Sequence, residues 1–438
     1  MEDTATRLVE RLRAAGHEAF FAGGCVRDRL LGKEAHDIDI ATSAKPVEVQ
    51  ALFPRTVAVG AAFGVIVVLE DGWEFQVATF RCDGSYKDGR HPESVSFTNA
   101  EGDAKRRDFT VNGLFYDPLE KRVIDFVGGQ ADLKAGILRC IGNPGERFSE
   151  DKLRLIRCVR FSASLGFQIE EKTWQAVRAM APQITVVSAE RLREELVKIF
   201  TQPTRVKGFD LLDSSGLLDV LLPEVTLMKG CEQPPDFHPE GDVFVHTRLM
   251  LSLLPPEVSV PLVFSVLLHD TGKPATFRRD ETGRIRFNGH ESVSAEITAA
   301  IFERLRFSNA ETEATVVAVK NHMSFKDVKN MRVATLKRFL ARPTIEDELE
   351  LHRVDCLGSH GLLDNHAFLR AKQVEFSNAP LIPPPLITGR DLIAAGRKPG
   401  PEFKKILDAV QGMQLEGSLT TPEEALSWVE AQTEFRDA

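Results

Sequence analysis

The chain has 438 residues, 43% hydrophobic and 27% charged, an ordinary globular composition that at roughly 150 residues per domain makes two to four domains. No run of about 18 apolar residues is present, which excludes a transmembrane helix, and the amphipathic start MEDTATRLVERLRAAGHE does not read as a secretory signal. Six cysteines without a CxxC pair exclude a zinc ribbon and a disulfide scaffold and point to a reducing, cytoplasmic setting, and a formal charge of −9 leaves any nucleic-acid surface to be local.

Residues 4–15 place Leu8, Val9, Leu12 and Ala15 on one helical face, with Gly16 as the stop. Short β-branched or alternating runs then predict strands over 18–24, 37–41, 56–60, 65–70 and 73–80, interleaved with helical pieces. The first 145 residues therefore predict a head with a mixed sheet. From 146 onward the Leu, Ile, Val and Phe spacing is helical. The expected class is α+β: head 1–145, helical neck 146–205, helical body 206–375, and a helical tail 376–438 that opens on the Pro-rich segment NAPLIPPPLITG.

Four pieces carry chemistry in the first 200 residues. Gly23-Gly24 ends a strand and opens a short helix, letting backbone N–H groups approach a phosphate, although strand-Gly-Gly-helix is also an ordinary tight turn. Asp37-Ile38-Asp39 falls on a predicted strand, where alternate side chains share a face, so two carboxylates converge as divalent cations require. Arg106-Arg107-Asp108 and Asn112 fall on a predicted helix, and Asp151, Arg154, Arg157 and Arg160 recur every third residue on another. Between 134 and 160, seven basic residues face three acidic ones, the best candidate for a phosphate-binding surface in an acidic chain.

In order, GGCVRD (23–28), DIDIAT (37–42), TFRCDGSYKDGRHP (79–92), RRDFTVNGL (106–114), DFVGGQADL (125–133), EDKLR (150–154) and ERLREEL (190–196) resemble the class II tRNA nucleotidyltransferases, which group with the bacterial poly(A) polymerases. The resemblance implies transfer of CMP and AMP from CTP and ATP to tRNA 3′ ends, with no DNA or membrane partner. It implies that Asp37 and Asp39 hold catalytic Mg²⁺. Gly23, Gly24, Arg27 and Arg107 would hold the triphosphate, Asp108 and Asn112 would belong to the ribose-contacting motif, and Arg157 and Arg160 would continue the basic stripe. Asp151 and Arg154 would read the base, since a carboxylate beside a guanidinium offers acceptors and donors to a cytosine or adenine edge.

Two positions depart from the family pattern. Gln76 stands where a third carboxylate is usual, and Glu74, two residues earlier on the same strand face, is displaced by about 6.8 Å. Gly113 replaces a common Ala, expected to be neutral. Gly60-Ala61-Ala62-Phe63-Gly64 lacks the basic signature of the poly(A) enzymes, and the full segment from Arg81 to Pro92 disfavours CC-only addition, leaving CCA and A-only addition open.

The body holds a second motif. The apolar run VPLVFSVLL leads into His269-Asp270, followed by Gly-Lys-Pro. With His246, His290, His322 and Asp355 this resembles the HD phosphohydrolase signature over about 240–360. By that likeness His246, His269, Asp270 and Asp355 are ligands for a transition metal such as Mn²⁺ or Ni²⁺, for which imidazole with carboxylate is the suited donor set. His290 and His322 would complete a second metal or touch phosphate. The alternative is an inactive HD-type fold kept as a tRNA-holding body.

Overall fold

The computed structural model describes residues 1–35, 37–60, 64–83, 95–234 and 241–432. Residues 61–63 and most of the 81–92 segment, which carried the poly(A) and CC-only arguments, lie outside the described residues. The chain forms two compact units, Met1–Thr226 with Arg304–Arg306, and Leu227–Glu303 with Phe307–Ala438. Among the described residues no helix is long and apolar enough to cross a membrane.

The first unit opens with α1 (Glu2–Ala14), β1 (Ala19–Ala22), α2 (Gly24–Leu30), β2 (Asp39–Thr42), α3 (Pro46–Leu52), β3 (Thr56–Gly60), β4 (Val65–Glu70) and β5 (Trp73–Thr79). Next come β6 (Arg81–Asp83), β7 (Val95–Phe97), α4 (Ala100–Arg106), β8 (Leu114–Asp117), β9 (Arg122–Asp125), α5 (Gly129–Ala135) and β10 (Ile137–Leu138). The helical part is α6 (Pro144–Glu150), α7 (Leu153–Leu165), α8 (Glu171–Met180), α9 (Ala189–Phe200), α10 (Arg205–Ser214), α11 (Leu217–Leu221) and α12 (Pro223–Thr226), with the strand β11 (Gln168–Ile169) pairing with β10.

Seven strands form one mixed sheet in the order β3-β4-β5-β2-β1-β8-β9. Only β2 and β5 run parallel within it. Leu8, Val9 and Leu12 of α1 pack with Phe21, Ile40, Phe75 and Val77 in one cluster, while Phe20, Ala41, Phe80, Phe115 and Ala104 form another. Adjacent sheet residues such as Phe20 and Phe21 fall in different clusters, as period-2 alternation demands.

Three local expectations change. Asp37 precedes β2, so only Asp39 lies within the strand, but the alternation survives: Ile38 is buried between two exposed Asp residues. The helix predicted across 106–112 ends at Arg106; Arg107 and Phe109 are extended, and one 3-10 turn covers Thr110–Asn112. The backbone there leaves the helix to enter β8, whose four residues are all buried and so show no alternation to read. Likewise the helix predicted through 146–160 breaks at Asp151 (φ −140, ψ 105), whose carboxylate accepts the Leu153 N–H at 3.0 Å. The charge stripe thus begins at Arg154.

The second unit contains α13 (Val243–Leu253), α14 (Val260–Leu268), α15 (Lys273–Thr276), the ribbon β12 (Arg278–Arg279) and β13 (Ile285–Arg286), and α16 (His290–Arg304), whose last residue belongs to the first unit. It continues with α17 (Asn309–Asn321), α18 (Val333–Leu340), α19 (Ile345–Gly358), α20 (Asp364–Glu375), α21 (Gly389–Ala394), α22 (Glu402–Glu416) and α23 (Pro422–Ala431). Helix α14 is buried from Leu262 to Leu268, and the Ser259 hydroxyl caps it by accepting the Leu262 N–H. His269 follows its last residue, His290 is the first residue of α16, and His322 follows α17.

Candidate functional site

Eleven of the twelve head and neck residues singled out from sequence line one cleft of about 510 Å³ in the first unit. Gly23 turns the chain from β1 into α2 at φ +76, a backbone sign that favours glycine, and a Cβ there would displace the tip of Arg107, whose Nη1 would lie 2.9 Å away. Gly113 has an ordinary negative φ, but a Cβ would meet Val127 Cγ2 at 2.8 Å, so the alanine expected to be neutral there requires Val127 to shift.

Asp37 and Asp39 both line the cleft. Although Asp39 is exposed as a residue, desolvation of its carboxyl in the cleft and, second, the neighbouring Asp37 push it up to about 6, while Arg107 opposes the shift. Two such carboxylates at one cleft are a donor set that fits divalent cations. The register Ile40↔Val77 sets the preceding residues, Asp39 and Gln76, side by side on the exposed face of the sheet.

The arginines are held by carboxylates. Asp103, buried on α4, accepts from Arg107 Nη2 at 3.0 Å and from Arg106 Nε at 2.8 Å. Arg27 Nη1 donates to Asn112 Oδ1 at 2.6 Å, Asn112 Nδ2 donates to Asp108 Oδ1 at 3.0 Å, and Arg157 donates two bonds to Asp108 Oδ2 at 2.9 and 2.6 Å. Burial alone would raise the Asp108 carboxyl, but Arg157 and Asn112 hold it at about 2. The basic stripe expected to bind phosphate is therefore ion-paired through much of its length: Arg154 meets Glu150 at 2.7 Å and Arg160 meets Glu195 at 2.5 Å. Arg160 is the residue not among those lining the cleft; its guanidinium packs 3.9 Å from the Phe161 ring centroid.

Asp151 and Arg154 both face the cleft. Arg154 is fixed by Glu150 and by the carbonyls of Arg147 and Arg106 at 2.9 and 3.0 Å. Asp151 is gripped by Arg191 from α9, Nη1 to Oδ1 at 3.2 Å and Nη2 to Oδ2 at 2.8 Å. Arg191, Glu195 and Asp103 were not singled out from sequence. The spacing of Asp103 and Arg107, four residues apart on one helix, was an available signal; Arg191 and Glu195 lay in a quoted motif whose facing partners only the fold reveals.

The second unit carries its own cluster. His246, His269 and Asp270 have ligand atoms within 4.8 Å of one another, and so do Asp270, His290 and His322. The Nδ1 atoms of His269, His290 and His322 lie 2.9, 2.8 and 2.6 Å from the carbonyls of Val266, Phe287 and Val319. A carbonyl only accepts, so each Nδ1 carries its proton, and in the neutral ring Nε2 presents a lone pair. His290 Nε2 and His322 Nε2 approach to 3.1 Å, while His269 Nε2 lies 3.1 Å from Asp270 Oδ2 and His290 Nε2 3.3 Å from Asp270 Oδ1. Imidazole nitrogens converging on one buried carboxylate are a donor set that fits a metal centre, with Asp270 common to both groups. Asp355 is brought against His246 Nε2 at 3.1 Å but belongs to neither group. Lys273 Nζ sits 2.7 Å from Asp270 Oδ2.

Comparison with known proteins places three family models along the chain in order. They are the Poly A polymerase head domain at 19–139, the probable RNA and SrmB-binding site of polymerase A at 166–228, and the HD domain at 247–357. The chain is 45% identical over 218 residues, 50% of its length and 54% of the relative's, to the CCA-adding enzyme of Streptococcus mutans, and 44% identical over 214 residues, 49% of its length and 53% of the relative's, to that of Geobacillus thermodenitrificans. It thus spans about half the length of the curated relatives it matches. Among solved structures it is similar to the Bacillus stearothermophilus CCA-adding enzyme in complex with CTP, with a TM-score of 0.76 and 25% identity over 99% of this chain and 98% of that one. The Thermotoga maritima CCA-adding enzyme complexed with tRNA shares the fold at a TM-score of 0.59 and 19% identity over 97% and 94%.

Proposed function

We propose that this chain is a tRNA nucleotidyltransferase of the kind that groups with the bacterial poly(A) polymerases and that it adds CMP and AMP to tRNA 3′ ends; the head, RNA-binding and HD matches that follow one another along the chain support this. The observation that carries this reading is the single cleft in which paired carboxylates, arginines and the Asp151–Arg154 pair meet. The homologous CCA-adding enzymes support it.

Asp37 and Asp39 would hold divalent cations, Mg²⁺ in our reading, which would supply charge to lower the 3′-hydroxyl pKa and to neutralise the leaving pyrophosphate. Arg27 and Arg107 orient the triphosphate, kept in place by Asn112 and Asp103. Asp151 accepts from the exocyclic amino group of cytosine or adenine, and Arg154 donates to the neighbouring ring nitrogen. Asp108 and Asn112 bracket the ribose side of the cleft. Asp37→Ala and Asp39→Ala each abolish addition and leave tRNA retention on a filter unchanged; either variant keeping substantial Mg²⁺-dependent addition removes the carboxylate pair from the mechanism.

In the second unit we propose a metal-dependent phosphoester hydrolase. The imidazoles of His269, His290 and His322 converging on the buried Asp270 carboxylate carry this reading. His246, His269, Asp270, His290 and His322 would hold a transition metal such as Mn²⁺ or Ni²⁺, with Asp355 positioning His246, and the ion would supply Lewis-acid polarisation of the ester. Metal analysis with an Mn²⁺- or Ni²⁺-supplemented phosphoester assay tests it.

A further inference from the structure

Phe161 lies on α7 four residues after Arg157 and directly after Arg160, and the four-residue spacing makes Arg157 and Phe161 neighbours on the helix surface. Its ring is buried and lines the cleft of the first unit. Three guanidinium groups lie over that one ring. Arg160 is 3.9 Å from its centroid, Arg157 5.0 Å, and Arg27, which comes from α2, 5.3 Å. Phe109, fully buried on the extended segment after α4, packs against the ring in a T-shaped pair, with centroids 5.9 Å apart and planes at 75°. Each arginine also has a carboxylate: Asp28 at 2.9 Å for Arg27, Asp108 at 2.6 Å for Arg157 and Glu195 at 2.5 Å for Arg160. A carboxylate holds a guanidinium through N–H groups in its plane, whereas the negative face of a ring attracts the whole cation.

We propose that Phe161 is a positioning residue for nucleotidyl transfer, whose ring gathers Arg27 and Arg157 into one arrangement for the triphosphate by cation–π attraction and not merely by filling space. This rests on the nucleotidyltransferase reading above. Arg27 and Arg157 both line the cleft but stand on separate elements, α2 and α7. Their like charges repel, and a ring that attracts both offsets that repulsion without cancelling the charge an anion needs. Arg160, outside the cleft, makes the closest approach and ties the ring to its own helix. Arginines already gathered in the empty cleft lose less freedom when a triphosphate arrives, so the ring contributes to affinity without touching the phosphates.

The test replaces Phe161 in the full-length protein by phenylalanines carrying one, three and five ring fluorines, which keep the shape and apolar character of the ring and progressively cancel its negative face. Calorimetry in Mg²⁺ measures binding of α,β-methylene CTP, which cannot be transferred, and of CMP, which lacks the two outer phosphates. The pentafluoro protein binds α,β-methylene CTP about tenfold more weakly, the trifluoro protein falls between, and CMP affinity changes by less than about twofold. An affinity for α,β-methylene CTP that stays constant across the series, or a fall that CMP shares equally, overturns the role of the ring alone. An unaltered protein that binds neither nucleotide overturns the nucleotidyltransferase reading, and the role of the ring with it.

Discussion

Arg191 on α9 grips Asp151 through two parallel hydrogen bonds of 3.2 and 2.8 Å, across 40 residues of chain. The carboxylate sits in the break between α6 and α7, where no helix fixes it, and Leu153 N–H holds Oδ1 from the other side. Base reading in our account needs this carboxylate to keep one direction. Arg191→Ala leaves it free to turn or to face Arg154 alone. The expected loss is roughly 1–3 kcal/mol of discrimination. It appears as a fall of about five- to 150-fold in the kcat/KM ratio of CTP to UTP, and Arg191→Lys falls between. An unchanged ratio with a lower rate assigns Arg191 to stability.

Asp39 gives a pH dependence whose sign follows from its shift. Desolvation and the Asp37 charge push its carboxyl up to about 6 in the folded chain, from 3.8 for an unperturbed aspartate. Between those values the folded state holds a proton that the unfolded state has released, so this contribution to stability is present at low pH and lost as the pH rises through about 6. In metal-free protein, Asp39→Asn therefore raises Tm at pH 8, and the difference closes below about pH 4. Added Mg²⁺ narrows the gap at pH 8 by stabilising only the unaltered protein. Thermal scans of both proteins with and without Mg²⁺ read this directly.

The strand register separates Gln76 from Glu74. Gln76 neighbours Asp39, whereas Glu74 is two residues away, about 6.8 Å along β5. Gln76→Glu places a third carboxylate at the pair, and the expected result is a lower Mg²⁺ requirement with addition kept or raised. Glu74→Gln changes the rate by less than about twofold, as for a surface position outside the site. Mg²⁺ titrations of single-turnover addition compare the two.

The histidine cluster belongs to the second unit, and the paired carboxylates to the first. His269→Ala combined with Asp270→Ala removes the residue shared by both ligand groups. Bound Mn²⁺ and phosphoester hydrolysis both disappear, while Mg²⁺-dependent addition to tRNA stays within about twofold. Loss of addition in this variant assigns the cluster to holding the tRNA-binding fold.

The sequence was most legible where local pattern and fold agree. Five strands of the sheet followed from β-branched alternation, and Gly23, Arg27, Asp37 and Asp39, singled out for the chemistry they concentrate, line one cleft, as His269 and Asp270 fall in one cluster. It misled where a charge run kept helical spacing across a backbone break, as at Asp151, and where a fully buried strand such as Leu114–Asp117 offered no alternation. It also hid the partners of the charged residues. Arg191, Glu195 and Asp103 act through side chains brought together by packing, so a stripe that read as open positive charge is largely neutralised by Glu150, Asp108 and Glu195.

The most direct measurement of the central claim is the length and sequence of the products formed on a tRNA transcript that ends at the discriminator base. The account predicts two added residues with CTP alone, three with CTP and ATP together, ending in A, and none with ATP alone. A transcript ending in CC then gains one A. Products that grow with ATP alone on the discriminator end, or tails that continue past three residues, contradict it.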